Sequence, residues 1–141
     1  MKLLNAFTPG MLPEFPATVQ FMELTVDKAR AFAAHGLESC VGHQGSAEMY
    51  SAILGVPVSV NRVTTRFEDG EVALLGQYTG PRLVEGQVLS AAELAAAPMR
   101  WLLVWTILDD MGHIADREVS MGHGYGPHLP QDVRDVLNQK P

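Results

Sequence analysis

Residues 39–57 read SCVGHQGSAEMYSAILGVP, and this stretch predicts a strand that leads directly into a helix. Ser39 to Gly42 is short and largely apolar, whereas apolar residues recur at helical spacing between His43 and Leu54. Gly55 and Pro57 then end the helix. A strand that passes into a helix is the building unit of α/β layered proteins, so this stretch indicates the fold class.

Strands and helices also alternate before this unit. Strands are predicted at Lys2–Phe7 and Ala17–Val26, and both are rich in apolar residues. Thr25 can cap a helix over Val26–His35, which Gly36 ends. The first third of the chain is therefore expected to place two strands and one helix beside the unit at 39–57.

Further strands are predicted after this unit. Val58–Phe67 and Val72–Thr79 are expected to form a hairpin around the turn Glu68-Asp69-Gly70. The S-x-x-E pattern at 90–93 is typical of a capping box that starts a short helix, and Trp101–Leu108 is a strongly apolar strand. The predicted fold class is α/β, with a mixed central β-sheet flanked by short helices in a single domain.

The last 33 residues of the chain differ in composition from the rest. Residues 1–108 are assigned to the α/β domain and residues 109–141 to a C-terminal appendage of unknown role, rich in glycine and histidine. A second hairpin around Asp110–Gly112 and a terminal helix over Gln131–Asn138 are expected within it. If the appendage is accessory, a chain truncated after Asp110 should keep its activity.

Composition excludes several classes of protein. The chain has 141 residues, of which 47% are hydrophobic and 18% charged, and its net charge is -6. These values are typical of a globular protein and argue against tight binding to bulk nucleic acid. No stretch is apolar enough to span a membrane or to serve as a signal peptide, and Cys40 is the single cysteine. We expect a cytoplasmic protein without disulfides.

Common catalytic and metal-binding motifs are absent from the sequence. It contains no dinucleotide fingerprint, no P-loop and no nucleophile elbow. The spacing of His113, His123 and His128 matches no known metal site, and Cys40 near His43 is more typical of a core cysteine than of a catalytic pair. We therefore expect no metal and no cofactor.

His43 is the candidate functional residue with the clearest physical argument. It lies where the predicted strand passes into a helix, beside backbone N–H groups that favour an anion such as phosphate. An imidazole in this place could act as a general acid, or it could simply cap the helix. Position alone leaves both interpretations open.

From Met1 to about Trp105 the chain resembles the small viral ring nucleases that act as anti-CRISPR proteins against type III systems. The resemblance rests on short motifs in the same order and at similar spacing: Leu4-Asn5-Ala6-Phe7, Met11-Leu12, Glu14-Phe15-Pro16, Val41-Gly42-His43, Leu54-Gly55, Val60-Asn61-Arg62-Val63, Arg82-Leu83-Val84-Glu85-Gly86 and Val88-Leu89-Ser90. It implies a homodimer that binds cyclic tetra-adenylate and cleaves it without a metal.

The resemblance also implies roles for individual residues. The implied catalytic residues are His43 as general acid, Arg82 and Glu85. The implied substrate-binding residues are Asn5, Thr8, Arg62 and Gln77. Arginine and histidine suit this chemistry, because attack by a ribose 2'-hydroxyl needs positive charge on the phosphoryl oxygens and a proton for the departing oxygen.

Other functions stay open from sequence alone. Arg62 and Arg82 could be solvated surface residues, and Glu85 could orient Arg82, orient the attacking hydroxyl or do neither. A non-cleaving sponge for a cyclic oligonucleotide would need the arginines but not His43. A non-enzymatic interaction protein would need neither.

Overall fold

The fold was analysed in a computed structural model that describes residues 1–68, 70–81, 89–107 and 129–139. One mixed sheet runs in the order β2-β5-β4-β1-β3. Its strands are β1 (Lys2–Leu4), β2 (Thr18–Leu24), β3 (Glu38–Ser39), β4 (Val72–Tyr78) and β5 (Met99–Ile107). The described helices are α1 (Val26–Ala34), α2 (Gln44–Leu54), α3 (Ala91–Ala95) and α4 (Gln131–Asn138). The predicted α/β fold with a mixed sheet in a single domain is confirmed.

One half of the sheet, formed by β4, β1 and β3, is parallel. β1 lies between β3 and β4 and runs parallel to both, with Leu4 opposite Leu75. β5 is antiparallel to β4 and to β2. The carboxyl ends of β1 and β4 therefore open at the same edge of the sheet, where open α/β sheets usually bind their ligands.

The predicted helix boundaries are confirmed by their capping groups. The Thr25 hydroxyl accepts a hydrogen bond from the Lys28 N–H at 3.2 Å, which starts α1. Gly55 ends α2 with a φ of 74°, a left-handed conformation that glycine adopts at little cost. In α3, the N–H of Ser90 donates to Glu93 and the N–H of Glu93 donates back to the Ser90 hydroxyl, as the capping-box pattern predicted.

The two faces of the sheet are covered differently. Leu3 and Leu74 point to the helical face, where they pack with Tyr50 and Ile53 of α2. On the other face the buried ring of Phe67 covers the neighbouring strand residues together with the loop that follows β1. Because one face is covered by loops, loop residues lie directly beside the carboxyl end of β1.

The predicted hairpin between residues 58–67 and 72–79 is wrong. Residues 58–67 form no strand, and Val72–Tyr78 pairs with β1 and β5 instead. The β-branched residues of 58–67 favour an extended backbone. Phe67, however, is the only residue of this segment that is buried. Val72–Tyr78 is apolar on both faces, which suits an interior strand better than the edge of a hairpin.

Three predicted strands are also clearly shorter than expected, and β2 covers Thr18–Leu24 instead of Ala17–Val26. The other two are β1 and β3. β1 ends at Leu4 instead of Phe7, and β3 covers Glu38–Ser39 instead of reaching Gly42. The backbone that leaves these strands carries the residues described in the next subsection. Both strands thus stop where polar side chains turn toward an open cavity.

The predicted terminal helix α4 is confirmed, and it packs on the domain. Three residues of α4 and one that precedes it are buried beside Phe32 and Trp105: Val133, Val136, Leu137 and Leu129. The Lys28 ammonium donates to the carbonyl of Val136 at 3.0 Å and to that of Gln139, so it caps the end of α4. The expected hairpin at Asp110–Gly112 lies outside the described residues. Among those described, no helix combines the length and apolarity needed to cross a bilayer.

Candidate functional site

An open cavity of about 550 Å³ lies at the carboxyl end of β1. It collects residues from three separate parts of the chain: the loop after β1, the start of α2 and the extended segment 58–67. Its lining includes four of the residues expected at the site, namely Asn5, Thr8, His43 and Arg62. The fold therefore brings together residues that lie up to 57 positions apart in the numbering of the chain.

The backbone of Gly42 links the polar side chains of this cavity. The Gly42 N–H donates to the Asn5 side-chain oxygen at 3.4 Å. The Gly42 carbonyl accepts from Nε of Arg62 at 3.2 Å and from its Nη2 at 3.1 Å. These bonds fix the Arg62 guanidinium beside His43, which follows Gly42 in the chain. The other N–H groups of the guanidinium stay available for an anion.

His43 is the N-cap residue of the eleven-residue helix α2. Its backbone is extended, with φ -125° and ψ 133°, and its side chain makes no capping hydrogen bond. The first turn of α2 contains no acidic residue. The capping role considered from the sequence is thus not what the imidazole does here; it is exposed at the positive end of a helix dipole, where an anion is favoured.

The electrostatic character of the cavity is opposite to that of the whole chain. Although the net charge of the protein is -6, none of the described residues that line the cavity is acidic. Arg62 supplies a permanent positive charge, and Thr8, Thr64 and Thr65 add hydroxyl groups that can donate hydrogen bonds. This combination suits a ligand that carries phosphate groups and ribose hydroxyls.

The other expected site residues are not among the described residues of this lining. Gln77 is exposed near the end of β4, opposite Arg100 of β5, and it does not contribute to the described wall of the cavity. Arg82 and Glu85 lie outside the described residues. The assignments of Gln77, Arg82 and Glu85 therefore stay predictions.

Sequence reasoning missed part of the cavity wall. Thr64 and Thr65 follow Arg62 in the extended segment, and Met11 and Cys40 close other sides. Because residues 58–67 were assigned to a sheet strand, Thr64 and Thr65 were not considered as ligand contacts, although Arg62 of the same segment was. The polar run Thr64-Thr65 beside an arginine could have been the signal.

The described residues contain no candidate metal site. No three of their histidine, cysteine and acidic side chains are grouped closely enough to hold a metal ion. Cys40 is a free thiol of intermediate exposure at the cavity wall.

Comparisons with known proteins point to one group of viral proteins. Residues 1–101 match the family described as STIV B116-like. The chain is 30% identical over 92 residues to "Uncharacterized protein 26" of Sulfolobus islandicus filamentous virus, a match that covers 64% of this chain and 77% of that protein. It is also similar to the solved structure of B116 of Sulfolobus turreted icosahedral virus, with 27% identity and a TM-score of 0.62, over 74% of this chain and 97% of the other.

Proposed function

Because this chain belongs to the STIV B116-like family of viral proteins, we propose that it is a ring nuclease that acts on cyclic tetra-adenylate. In this proposal it cleaves the cyclic second messenger of type III CRISPR defence into short linear oligoadenylates and so suppresses antiviral signalling. It works as a homodimer in the cytoplasm of the infected cell, and the reaction uses neither a metal nor a cofactor.

The observation that carries this proposal is the clustering of His43 and Arg62 in one cavity without acidic residues in its described wall. Two hydrogen bonds to Gly42 hold the Arg62 guanidinium at this cavity, and this supports a role for Arg62 as a phosphate ligand. A cavity of about 550 Å³ has the size of a site for one small ligand. A ring of four nucleotides is larger than a cavity of this volume can enclose, which favours two copies of the chain around one ring.

The proposed reaction is a transesterification within the substrate. The 2'-hydroxyl of one ribose loses its proton to a water molecule as its oxygen attacks the neighbouring phosphorus, the bond from phosphorus to the 5'-oxygen breaks, and a 2',3'-cyclic phosphate forms. The imidazolium of His43 gives its proton to the departing 5'-oxygen, and the N–H groups of Arg62 and of the α2 start stabilise the phosphoryl oxygens. Arg82 and Glu85 are proposed to complete this group.

The experiment that tests the proposal replaces His43 by alanine. His43→Ala should still bind cyclic tetra-adenylate, while the single-turnover cleavage rate should fall by ~10²-fold or more, the usual loss for a general acid. His35→Ala is the matched control, because His35 is an exposed histidine at the end of α1 and outside the cavity. That variant should cleave at the rate of the unmodified protein.

Mass analysis of the products separates the alternatives. The first products should be linear oligoadenylates with 2',3'-cyclic phosphate ends, with the same rate in the presence of a chelator. Binding followed by recovery of intact ring would indicate a sponge instead. An unmodified protein that binds no cyclic oligoadenylate, or a fully active His43→Ala variant, would refute the proposal.

A further inference from the structure

A row of hydrogen bonds joins residues 59–62 to residues 39–42, and we call this row the clasp. The Ser39 hydroxyl donates to the carbonyl of Ser59 at 2.6 Å. Arg62 closes the other end of the row by donating to the carbonyl of Gly42. The clasp thus fixes an extended segment, which belongs to no strand, against the backbone that leads into α2.

Asn61 makes the two central bonds of the clasp. Its backbone N–H donates to the carbonyl of Val41 at 2.8 Å, and its side-chain amide donates to the carbonyl of Ser39 at 2.8 Å. Both distances are typical of well-formed N–H···O bonds. Asn61 is partly buried and is not among the described residues of the cavity wall, so its amide faces the protein backbone and not the ligand space.

We infer that Asn61 is a positioning residue that holds Arg62 in the geometry needed to bind a phosphate group. Arg62 is exposed and has a long, flexible side chain, so its guanidinium loses rotamer freedom when it is fixed at the cavity. The two bonds of Asn61 fix the backbone of the neighbouring residue. They also fix residues 39–41, which precede the Gly42 carbonyl that accepts from the guanidinium. Asn61 therefore holds both the donor and the acceptor of the Arg62 hydrogen bonds in place.

The chemistry of the side chain explains why an amide is needed. The Ser39 carbonyl accepts, so its partner must donate, and the asparagine amide is a donor that carries no charge. A carboxylate would place an acceptor against this carbonyl and a negative charge beside a phosphate site. An aliphatic side chain would leave the carbonyl without that partner.

The inference rests on the proposed function, because the bound phosphate is that of cyclic tetra-adenylate. Its geometric part can nevertheless be measured without any ligand. The ¹⁵N–¹H signal of Arg62 Nε, assigned by its loss in Arg62→Lys, reports the hydrogen bond to Gly42 directly. In the unmodified protein this proton should exchange slowly with water, since the carbonyl of Gly42 accepts from it.

Asn61→Ala removes the side-chain bond to the Ser39 carbonyl. It should accelerate the exchange of the Arg62 Nε proton and raise the Kd for cyclic tetra-adenylate on the order of ten-fold, because the charged Arg62 would then bind phosphate through poorly aligned hydrogen bonds. The matched control is Ser59→Ala, because the carbonyl and not the side chain of Ser59 takes part in the clasp. Where the alanine variant does not fold, Asn61→Gln displaces the amide donor by one methylene group and serves instead.

A double-mutant cycle distinguishes positioning from general damage. Asn61→Ala combined with Arg62→Ala should bind no more weakly than Arg62→Ala alone, because Asn61 acts through Arg62. Additive losses in Kd, or an unchanged exchange rate of the Arg62 proton in Asn61→Ala, would overturn the inference. A faster exchange in a protein that binds no cyclic oligoadenylate would support the positioning of Arg62 and refute the proposed function.

Discussion

Shortening Leu137 to alanine is expected to destabilise the whole domain, although this residue lies outside residues 1–101, which match the family. Leu137 is 6% exposed and packs with Phe32 and Trp105 under α4. Replacing a buried leucine by alanine costs about 2–5 kcal/mol, because apolar contact is lost and a cavity stays behind. A domain of ordinary stability has about 5–15 kcal/mol in total.

The same reasoning applies to removal of the whole appendage. Each of the four buried residues at 129–137 contributes about 1.5–3 kcal/mol by leaving water, which gives about 6–12 kcal/mol as an upper estimate. This is comparable with the full stability of a domain. A chain truncated after Asp110 should therefore fold poorly. Loss of its activity would then report lost stability and not a missing site residue.

Urea denaturation followed by circular dichroism tests this expectation. Leu137→Ala should lower the midpoint strongly, whereas Asn138→Ala, which changes the exposed neighbouring residue, should leave it almost unchanged. Below its unfolding transition, the Leu137→Ala protein should bind ligand normally, since the cavity wall contains no residue of α4 among those described. Equal midpoints for Leu137→Ala and the unmodified protein, or a stable truncated chain, would refute the reasoning.

Three further outcomes are expected. Arg62→Ala should weaken the binding of cyclic tetra-adenylate, and the affinity of the unmodified protein should fall as salt is raised, because charged contacts are screened; titrations at two salt concentrations measure both. Gly76→Ala should lower the stability by about 1–3 kcal/mol in thermal unfolding, since an added Cβ would lie 2.7 Å from the buried ring of Tyr50. Gly45→Ala should instead raise the stability by about 0.5–1 kcal/mol, because the site is helical and open; a loss would contradict the assigned start of α2.

Local signals in the sequence predicted most of the secondary structure. Thr25 and Gly55 mark the ends of helices by mechanisms that depend only on neighbouring backbone groups, so their positions were correct. The predicted pairing of Val72–Tyr78 with residues 58–67 was wrong, because the alternation of residues 58–67 and the turn beside them are also compatible with a hairpin. Strand pairing depends on which surfaces are finally buried, and a local pattern does not contain that information.

For the candidate site, too, local features could be predicted from the sequence, whereas contacts between distant residues could not. His43 could be placed at the start of a helix, because the strand-to-helix transition is encoded within a few residues. Its contact with the segment that carries Arg62 depends on the clasp, whose bonds join residues about twenty positions apart. Thr64 and Thr65 were overlooked for this reason. The residue types were informative, but their common cavity exists only in the folded chain.

The interior place of β1 in the sheet, between β3 and β4, has a consequence for synthesis of the protein. Lys2–Leu4 is synthesised before its partners at 73–75, which follow some seventy residues later. Because synthesis proceeds at about 5–20 residues per second, the apolar pair Leu3-Leu4 lacks the strand that buries it for on the order of ten seconds. The carboxyl edge of the nascent sheet, and with it any affinity for ligand, is completed only once β4 has been translated.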